Sequence, residues 1–430
     1  MKKSIVYIIL ILWVTSLNAQ DSTGVIINTP QAYRGYTLYS PFFSTQTYLI
    51  DMNGRELRKW ETGFMPGATE YLMPSGGLLK ACRIVNQNFR VSGKGGLRQL
   101  FDSNGVVQWS YKLIDAEICQ HHSILPLPNG NILAILWRRY LKDEAVALGR
   151  NPRLAAPEIY MLEIVEIHPE GKNSGEIVWR WKAADHLVQD FDKTKANYGK
   201  VSEHPELIDF NYVVRPHNKK DYLHANSLDY DAEKDLILVS VRAMDEIWMI
   251  DHGTNTTQAA SHKGGRYKRG GDLLFRWGNP KAYKGKGKQT LFGQHDAHFL
   301  KTGKYKGDIM IFNNGRDSIR PWSSVDIVSV LMPDTQKAEI STDAKLVWRY
   351  EAPVKTDFYS TFLSGAQMLP NGDVLITEGQ KGRVFEIDEK KNIVWEFITP
   401  YEGKGKNAYA ARKHKNRRYI FKAKRYDSLR

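Results

Sequence analysis

The chain has 430 residues, of which 42% are hydrophobic and 25% are charged, a composition that excludes fibrous and disordered classes. A chain of this length can bury a sizeable core, and the formal net charge of +14 directs attention to anionic ligands. Aromatic residues make up 11% of the chain and glycine is frequent, which favours β structure with tight turns.

Residues 1–19 are predicted to be a secretory signal peptide, and residues 20–430 the mature catalytic domain. Lys2 and Lys3 precede an apolar run from Ile5 to Val14, and Ala19 supplies a small residue at the expected cleavage point. The run is short for a membrane span, although an uncleaved anchor is the alternative. We therefore expect an exported protein, periplasmic or secreted, without stable membrane insertion after cleavage.

One phrase recurs six times along the mature chain: an alternating strand, a polar turn, and a strand with tryptophan near its end. Examples are "TYLIDMNGRELRKWE" and "GRVFEIDEKKNIVWEF". The six tryptophans are Trp60, Trp109, Trp179, Trp277, Trp348 and Trp395. Regular repetition of a short β unit is typical of a propeller.

A second phrase, strand–turn–strand, interleaves with the first and is clear five times, as in "LPLPNGNILAI" and "MLPNGDVLITE". A sixth copy would combine the N-terminal "YRGYTLYS" with the C-terminal "RRYIFKAKRY". The pattern predicts an all-β, six-bladed β-propeller whose ring is closed by N- and C-terminal strands; a pair of β-sandwiches is the alternative. Insertions are expected around residues 138–158, 183–221 and 253–272, with a short helix within residues 183–199.

Three copies of the second phrase place a histidine at the same register. His121 lies four residues before Leu125, His224 four before Leu228, and His295 four before Phe299. Equivalent positions of successive blades surround the central axis, so the three imidazoles are predicted to converge on one cavity. The structural alternative is that each histidine bonds the backbone of a neighbouring blade.

Other histidines are less clearly placed. His122 and His298 neighbour the register positions and are candidates for substrate binding. The remaining histidines share no register and are expected in loops or at the surface: His168, His186, His204, His217, His252, His262 and His414.

Arg242 lies at the end of the strand "LILVSVR", the second strand of the hairpin that begins at His224. Its guanidinium could bind an oxyanion at the cavity mouth, or it could form a salt bridge with Asp245 or Glu246. Asn313 and Asn314 follow the His295 hairpin in the same way, and they could orient a histidine, contact substrate or simply make a turn.

Three histidines also raise the question of a metal. Zinc or copper would suit three imidazoles, but a cavity that holds Arg242 repels a cation, so no metal is predicted there.

The basic tail Ala411 to Tyr426 would suggest nucleic acid in a cytosolic protein. For an exported protein we predict no nucleic-acid partner and interpret the tail as a solvated edge strand.

The phrases "HHSILPLPNGNILAI", "LHANSLDYDAEKDLILVSVR", "GQHDAHFL" and "IFNNG" resemble motifs of the bacterial arylsulfate sulfotransferase family. The resemblance covers the chain from about residue 30 to its end. Members are exported six-bladed propellers that move a sulfuryl group from a phenol sulfate ester to another phenol, without a nucleotide donor or other cofactor. The resemblance matches His295 to the transiently sulfated nucleophile, and His224 and Arg242 to residues that hold the sulfate and assist proton transfer.

His121 matches the remaining active-site histidine, although the His121–His122 doublet leaves that choice open. The resemblance implies an aryl sulfate donor and a phenol acceptor as partners, and leaves open whether the chain forms a homo-oligomer. The extra N-terminal domain and the short disulfide loop of better-known members are not expected here, and whether Cys82 pairs with Cys119 stays open. Two other functions are considered: a non-catalytic propeller that binds anions or glycans, and an aryl sulfate hydrolase that uses the same site.

Overall fold

The structure, a computed structural model, describes residues 22–213, 220–335, 340–403 and 417–428. The strands before residue 113 are β1 (Gly24–Asn28), β2 (Tyr36–Tyr39), β3 (Gln46–Ile50), β4 (Glu56–Glu61), β5 (Pro66–Leu72), β6 (Leu78–Arg83), β7 (Gly96–Phe101) and β8 (Val107–Lys112). Those between residues 113 and 280 are β9 (Ile118–Pro126), β10 (Ile132–Leu141), β11 (Glu158–Glu170), β12 (Ser174–Lys182), β13 (Leu187–Val188), β14 (Ile208–Asp209), β15 (Ala225–Asp231), β16 (Leu236–Val241), β17 (Glu246–Asp251) and β18 (Phe275–Trp277).

The strands after residue 280 are β19 (His295–Phe299), β20 (Ile309–Asn313), β21 (Ser324–Val330), β22 (Ala344–Tyr350), β23 (Gly365–Met368), β24 (Val374–Glu378), β25 (Arg383–Ile387), β26 (Ile393–Ile398) and β27 (Lys424–Tyr426). Two short α-helices occur in the described residues, α1 (Lys142–Ala147) and α2 (Thr256–Ala259). The regular structure of the described residues is therefore mostly β, as the sequence predicts.

The strands form six antiparallel blades around a central axis. From the inside outwards, blade 1 is β27-β2-β3-β4, blade 2 is β5 to β8, blade 3 is β9 to β12, blade 4 is β15 to β18, blade 5 is β19 to β22, and blade 6 is β23 to β26 with β1 outside. Both termini close the ring, because β27 pairs with β2 at Tyr36↔Tyr426 and β1 pairs with β26. The six-bladed propeller and its closure are confirmed.

The repeated tryptophans all lie in the fourth strand of their blades. Four of them donate their indole N–H to an acceptor of the next blade and so hold adjacent blades together: Trp60 to Asp102 O at 3.1 Å, Trp109 to Ser174 O at 2.7 Å, Trp179 to Thr254 Oγ1 at 3.1 Å, and Trp395 to Met52 O at 2.9 Å. A large apolar ring with one polar atom suits a contact between packed blades. This packing explains why tryptophan recurs.

The insertions carry little regular structure. Within residues 183–221, β13 and β14 form a two-residue parallel pair. In place of the expected short helix, residues 183–199 contain one 3₁₀ turn, Ala183–Asp185. The 253–272 insertion contains only the four-residue α2 as regular structure.

The described part of the basic tail, residues 417–426, corrects the interpretation as a solvated edge strand. Lys422 and Arg425 are buried, and they pair with Asp296 at 2.6 Å and Glu386 at 3.1 Å. The reason is topological: closing the ring requires β27 as the innermost strand of blade 1, so its charges need partners inside the protein. Residues 411–416 lie outside the described residues.

Other expectations concern the termini and the cysteines. The predicted signal peptide, residues 1–19, lies outside the described residues, as do His217 and His414. Among the residues that the structure describes, no helix is long and apolar enough to cross a membrane. Cys82 and Cys119 are both buried and free.

Candidate active site

The innermost strands of blades 3, 4 and 5 begin at the same end of the central channel and bring three histidines together. The rings of His122 and His224 lie 4.8 Å apart, and His295 is close enough to both for charge interactions. His122 and His224 have left-handed backbones, with φ of 46° at each, and Asp296 beside His295 has φ of 55°. Such conformations are costly for residues other than glycine and are concentrated at functional sites.

His295 is held in one tautomer by its neighbours. Its Nδ1 lies 2.7 Å from Asn314 Oδ1 and 3.2 Å from the Gly293 carbonyl oxygen. Asn314 cannot be flipped without loss, because its Nδ2 donates to the carbonyls of Ser360 and Leu363 at 2.7 and 3.0 Å. Since both neighbours of Nδ1 are acceptors, Nδ1 carries the proton and Nε2 keeps a lone pair.

The charge state of His295 follows from its surroundings. Burial, followed by the charge of Arg242, holds the pKa of His295 well below its ordinary value of 6.5. Both effects disfavour the imidazolium form. The ring is therefore neutral near pH 7 and available as a nucleophile through Nε2.

His224 is hydrogen-bonded to the carboxylate of Asp221. Its Nδ1 donates to Asp221 Oδ2 at 2.5 Å, and the other oxygen of Asp221 accepts the Trp137 indole N–H at 2.9 Å. Burial acts to raise the pKa of Asp221, but the charge and hydrogen bond of His224 outweigh it and lower that pKa. A carboxylate on Nδ1 orients the ring and stabilises the imidazolium that forms when Nε2 accepts a proton.

The two histidines of the His121–His122 doublet face different neighbours. The His121 ring stacks on Trp137 with centroids 4.0 Å apart and planes 6° apart. Its Nδ1 lies 2.8 Å from Nδ1 of His122, and it is His122 whose ring contacts His224. Burial lowers the pKa of His121 to about 3 and holds that of His122 well below its ordinary value.

The space around His122 also depends on one glycine. A Cβ on Gly93, where φ is 92°, would lie 2.0 Å from Cε1 of the His122 ring. The backbone of Gly93 additionally accepts the His122 N–H at 3.0 Å. Glycine is needed because any side chain would displace the ring.

Arg242 reaches the same cluster from the end of β16. Its backbone N–H donates to the His224 carbonyl at 3.2 Å, and its Nη2 donates to the Thr361 carbonyl at 3.2 Å. Its charge contributes, after burial, to lowering the pKa of His295 and, as the last of several causes, that of His122, so the guanidinium lies near both imidazoles. Asp245 and Glu246, the carboxylates considered as partners of Arg242, contact other arginines: Asp245 binds Arg316 and Glu246 binds Arg276.

An aromatic cluster borders these polar groups. It contains Ala68 and Leu363 with the rings of Phe42, Phe43, Phe362, Tyr419 and Phe421. The Phe421 ring centroid lies 6.2 Å from both His122 and His295. An apolar surface of this kind, beside a cationic group, suits a ligand that is aromatic at one end and anionic at the other.

Two of the predicted substrate-binding residues have their polar atoms engaged elsewhere. Asn313 donates to Thr290 O at 2.9 Å and to Asp326 Oδ2 at 3.1 Å, and it accepts the Phe292 N–H. His298 is half-buried, and its Nδ1 lies 2.8 Å from the Asp296 carbonyl oxygen. The roles proposed for all eight candidate residues stay predictions, since geometry alone does not test them.

A separate cavity of about 990 Å³ opens where the innermost strands end, away from the histidines. Its lining includes Tyr71, Leu127, Tyr230, Lys301 and Lys424. The histidines lie where the innermost strands begin, whereas the residues that line this cavity lie where those strands end. The cavity is therefore at the opposite end of the channel from the histidines. The histidine cluster and this cavity are thus two separate features of the channel.

Several residues of the site escaped sequence reasoning. Asp221 stands three residues before His224 in "DYLH", a visible signal for a carboxylate–histidine pair. Phe421 and Trp137 had no such signal, because their contacts depend on ring closure and on packing between blades 3 and 4. His186 was expected in a loop or at the surface; it is in a loop but fully buried.

The comparisons with known proteins are consistent with this picture. The family described as Arylsulfotransferase (ASST) matches residues 86–418. No curated protein matches the chain significantly.

Similar solved structures share low sequence identity. A Bacteroides caccae protein of unknown function has a TM-score of 0.48 and 13% identity, covering 91% of this chain and 98% of its own. The Cps50 (Swd1) β-propeller domain from Myceliophteria thermophila has a TM-score of 0.44 and 10% identity, covering 89% and 92%. The match to the family model includes every candidate site residue and most of the sequence, so the chain belongs to the arylsulfotransferase family.

Proposed function

We propose that the protein is an exported arylsulfotransferase that moves a sulfuryl group from a phenolic sulfate ester to a phenol through a sulfated His295. The observation that carries the proposal is the fixed tautomer of His295. Its Nδ1–H is held by Asn314 and Gly293, which leaves the Nε2 lone pair as the nucleophile. The family supports the arylsulfotransferase activity, and the covalent mechanism is our inference.

In the first half-reaction, Nε2 of His295 attacks the sulfur of the donor. The N–S bond forms as the bond between sulfur and the aryl oxygen breaks, and the departing phenolate takes a proton from Nε2 of His224. In the second half-reaction, an acceptor phenol gives its proton back to His224 and its oxygen attacks sulfur. The N–S bond then breaks and neutral His295 is restored. Because the sulfuryl group is transferred in two separate steps, the mechanism predicts ping-pong kinetics.

The remaining groups stabilise charge and position the ring. Arg242 supplies a permanent positive charge for the outer sulfate oxygens, which gain charge in the transition state. Asp221 stabilises the imidazolium of His224 that donates a proton in the first half-reaction and forms again in the second. The aromatic cluster around Phe421 offers an apolar surface to the phenol of donor and acceptor.

Export and independence from nucleotide donors agree with each other. The N-terminal sequence has the pattern of a secretory signal, and the chain carries no GxxxxGK[ST] phosphate-binding loop. A donor that already carries its sulfate requires no nucleotide.

The proposal is tested with purified protein, 4-nitrophenyl sulfate and phenol. We expect phenol to accelerate nitrophenolate release, and His295→Ala to abolish release while the near-ultraviolet circular dichroism stays native. His168→Ala, which changes an exposed histidine, is the matched control and should retain full activity. Release that phenol does not accelerate would identify a hydrolase, and a folded wild type without release that still binds aryl sulfate would identify a binding propeller.

A further inference from the structure

A second cluster of metal-type ligands lies outside the candidate active site. His186 follows β12, and His262 and Asp272 belong to the 253–272 insertion that packs against this edge of blade 3. One ligand atom from each of the three residues lies within 4.8 Å of the others. His186 and Asp272 are buried, while the side chain of His262 is 59% exposed.

The hydrogen bonds of His186 point its free lone pair at the cluster. Its Nε2 lies 2.8 Å from the Ala259 carbonyl oxygen, an acceptor, so in the neutral ring Nε2 carries the proton. Nδ1 then has a lone pair, yet it faces Asp272 Oδ1 at 2.9 Å. The same oxygen lies 2.7 Å from His262 Nδ1. Two acceptors face each other unless a proton or a metal ion lies between them.

The neighbours of His186 hold its ring in one orientation, as is usual for a histidine that binds a metal. A backbone carbonyl on the second ring nitrogen is a common outer partner of a metal-bound histidine. The Trp181 ring stacks on His186 with planes 4° apart, and its N–H donates to the Gly271 carbonyl at 2.7 Å. A Cβ on Gly271 would lie 2.6 Å from His186 Nε2, so the insertion approaches the ring as closely as a glycine allows.

We propose that His186, His262 and Asp272 form a structural site for a divalent transition metal, of which Zn²⁺ is the best match. Two imidazoles and a carboxylate are ligands that zinc prefers, and water would complete a tetrahedron on the open side of His262. Ligands about 2.0–2.1 Å from zinc stand about 3.3 Å apart in a tetrahedron. The distances from Asp272 Oδ1 to His186 Nδ1 and His262 Nδ1, 2.9 and 2.7 Å, would therefore lengthen by a few tenths of an ångström, and the nitrogen atoms of the two rings, within 4.8 Å of each other, would move to a similar spacing. His262 can supply that movement because it is exposed.

The charges around the cluster favour a cation. Asp272 contributes one negative charge directly, through the oxygen that faces both imidazole nitrogens. The site would tie the 253–272 insertion, which has a single short helix among its described residues, to the end of β12. The alternative is that His186 is an imidazolium ion-paired with Asp272, and it predicts no metal.

The test is equilibrium dialysis of the untagged protein against ZnCl₂, followed by metal analysis. We expect one zinc per chain in the wild type and none in His262→Ala, which replaces an exposed residue and should fold. His168→Ala should keep its zinc. His295→Ala should also keep it, which distinguishes this cluster from the active-site histidines.

Two further readouts check the geometry. Zinc should raise the melting temperature of the wild type by several degrees and leave that of His262→Ala unchanged, and Co²⁺ should give the strong visible absorption of a tetrahedral site. Absence of stoichiometric zinc at micromolar concentration would overturn the proposal. So would zinc that is kept by His262→Ala but lost from His295→Ala.

Discussion

The tautomer of His295 can be tested by removing Asn314, a positioning residue that acts through the nucleophile. In Asn314→Ala the ring loses the acceptor at 2.7 Å and keeps only the Gly293 carbonyl at 3.2 Å. The ring is then free to rotate or to place its proton on Nε2, where it blocks attack on sulfur. A buried hydrogen bond of this kind is worth about 1–3 kcal/mol, so we expect the first half-reaction to slow by about 5- to 150-fold.

The assay is the pre-steady-state burst of nitrophenolate from 4-nitrophenyl sulfate, which reports sulfation of the enzyme directly. Asn314→Asp is the informative companion, because its carboxylate keeps an acceptor on Nδ1 and adds a negative charge. It should raise the pKa of His295 and move the acid limb of the kcat/KM profile to higher pH.

Loss of stability must be separated from loss of orientation. Asn279 is a buried amide whose Nδ2 also donates two hydrogen bonds, to Tyr212 Oη and Met244 O, each at 2.9 Å, and neither acceptor belongs to an active-site histidine. Asn279→Ala should lower the melting temperature comparably and leave the burst rate near that of the wild type. A folded Asn314→Ala with a burst rate within threefold of the wild type would refute the reasoning.

The other predictions concern the anion, the aryl ring and pH. Arg242→Lys keeps a charge but loses the planar fork, so kcat/KM for aryl sulfate should fall by about 100-fold; an unchanged value would place the sulfate elsewhere. Phe421→Leu should raise KM for the aryl sulfate several-fold with little change in melting temperature, and a change confined to kcat would contradict a role in binding the ring. His252 lies between Asp235 and Glu166 at 2.7 and 2.8 Å; burial acts to lower its pKa, but these carboxylates raise it to about 9. The stabilisation from His252 is therefore complete below about pH 6.5 and is lost as pH rises through 9, by about 3 kcal/mol. Urea unfolding at pH 6 and pH 9.5 should show this loss in the wild type relative to His252→Asn, and a constant difference would rule it out.

Repetition made the fold predictable. Trp60, Trp109 and their counterparts occupy the same strand of every blade, because each blade must pack on the next in the same way. The closing strand was also visible, since "YRGYTLYS" lacked a partner until "RRYIFKAKRY" supplied it. The environment of that closing strand was not visible: Lys422 and Arg425 read as solvent-exposed charges because their partners, Asp296 and Glu386, are distant in sequence.

The candidate site was predictable to a similar depth. Register placed His224 and His295 on one ring, because equivalent positions of a propeller surround its axis. The repeat register could not show which of His121 and His122 faces the site, because the two are adjacent in sequence. A β-bulge in β9 decides it: the His122 ring faces His224 and the His121 ring stacks on Trp137. The sequence offered Asn314 as a residue that could orient a histidine, and Asp221 three residues before His224 was a signal that the prediction did not use. The hydrogen bonds that His295 and His224 donate to these two residues became visible only in the tertiary structure.

The sequence by itself therefore determined the blade number, the way the ring closes and which residue types meet near the axis. Only the tertiary structure decided which nitrogen of His295 carries the proton, which carboxylate supports His224 and which aromatic rings stand beside them. The physical reason is that periodic packing is encoded locally in every repeat. Tautomers and ion pairs, in contrast, depend on contacts between blades that are separated by many residues along the chain.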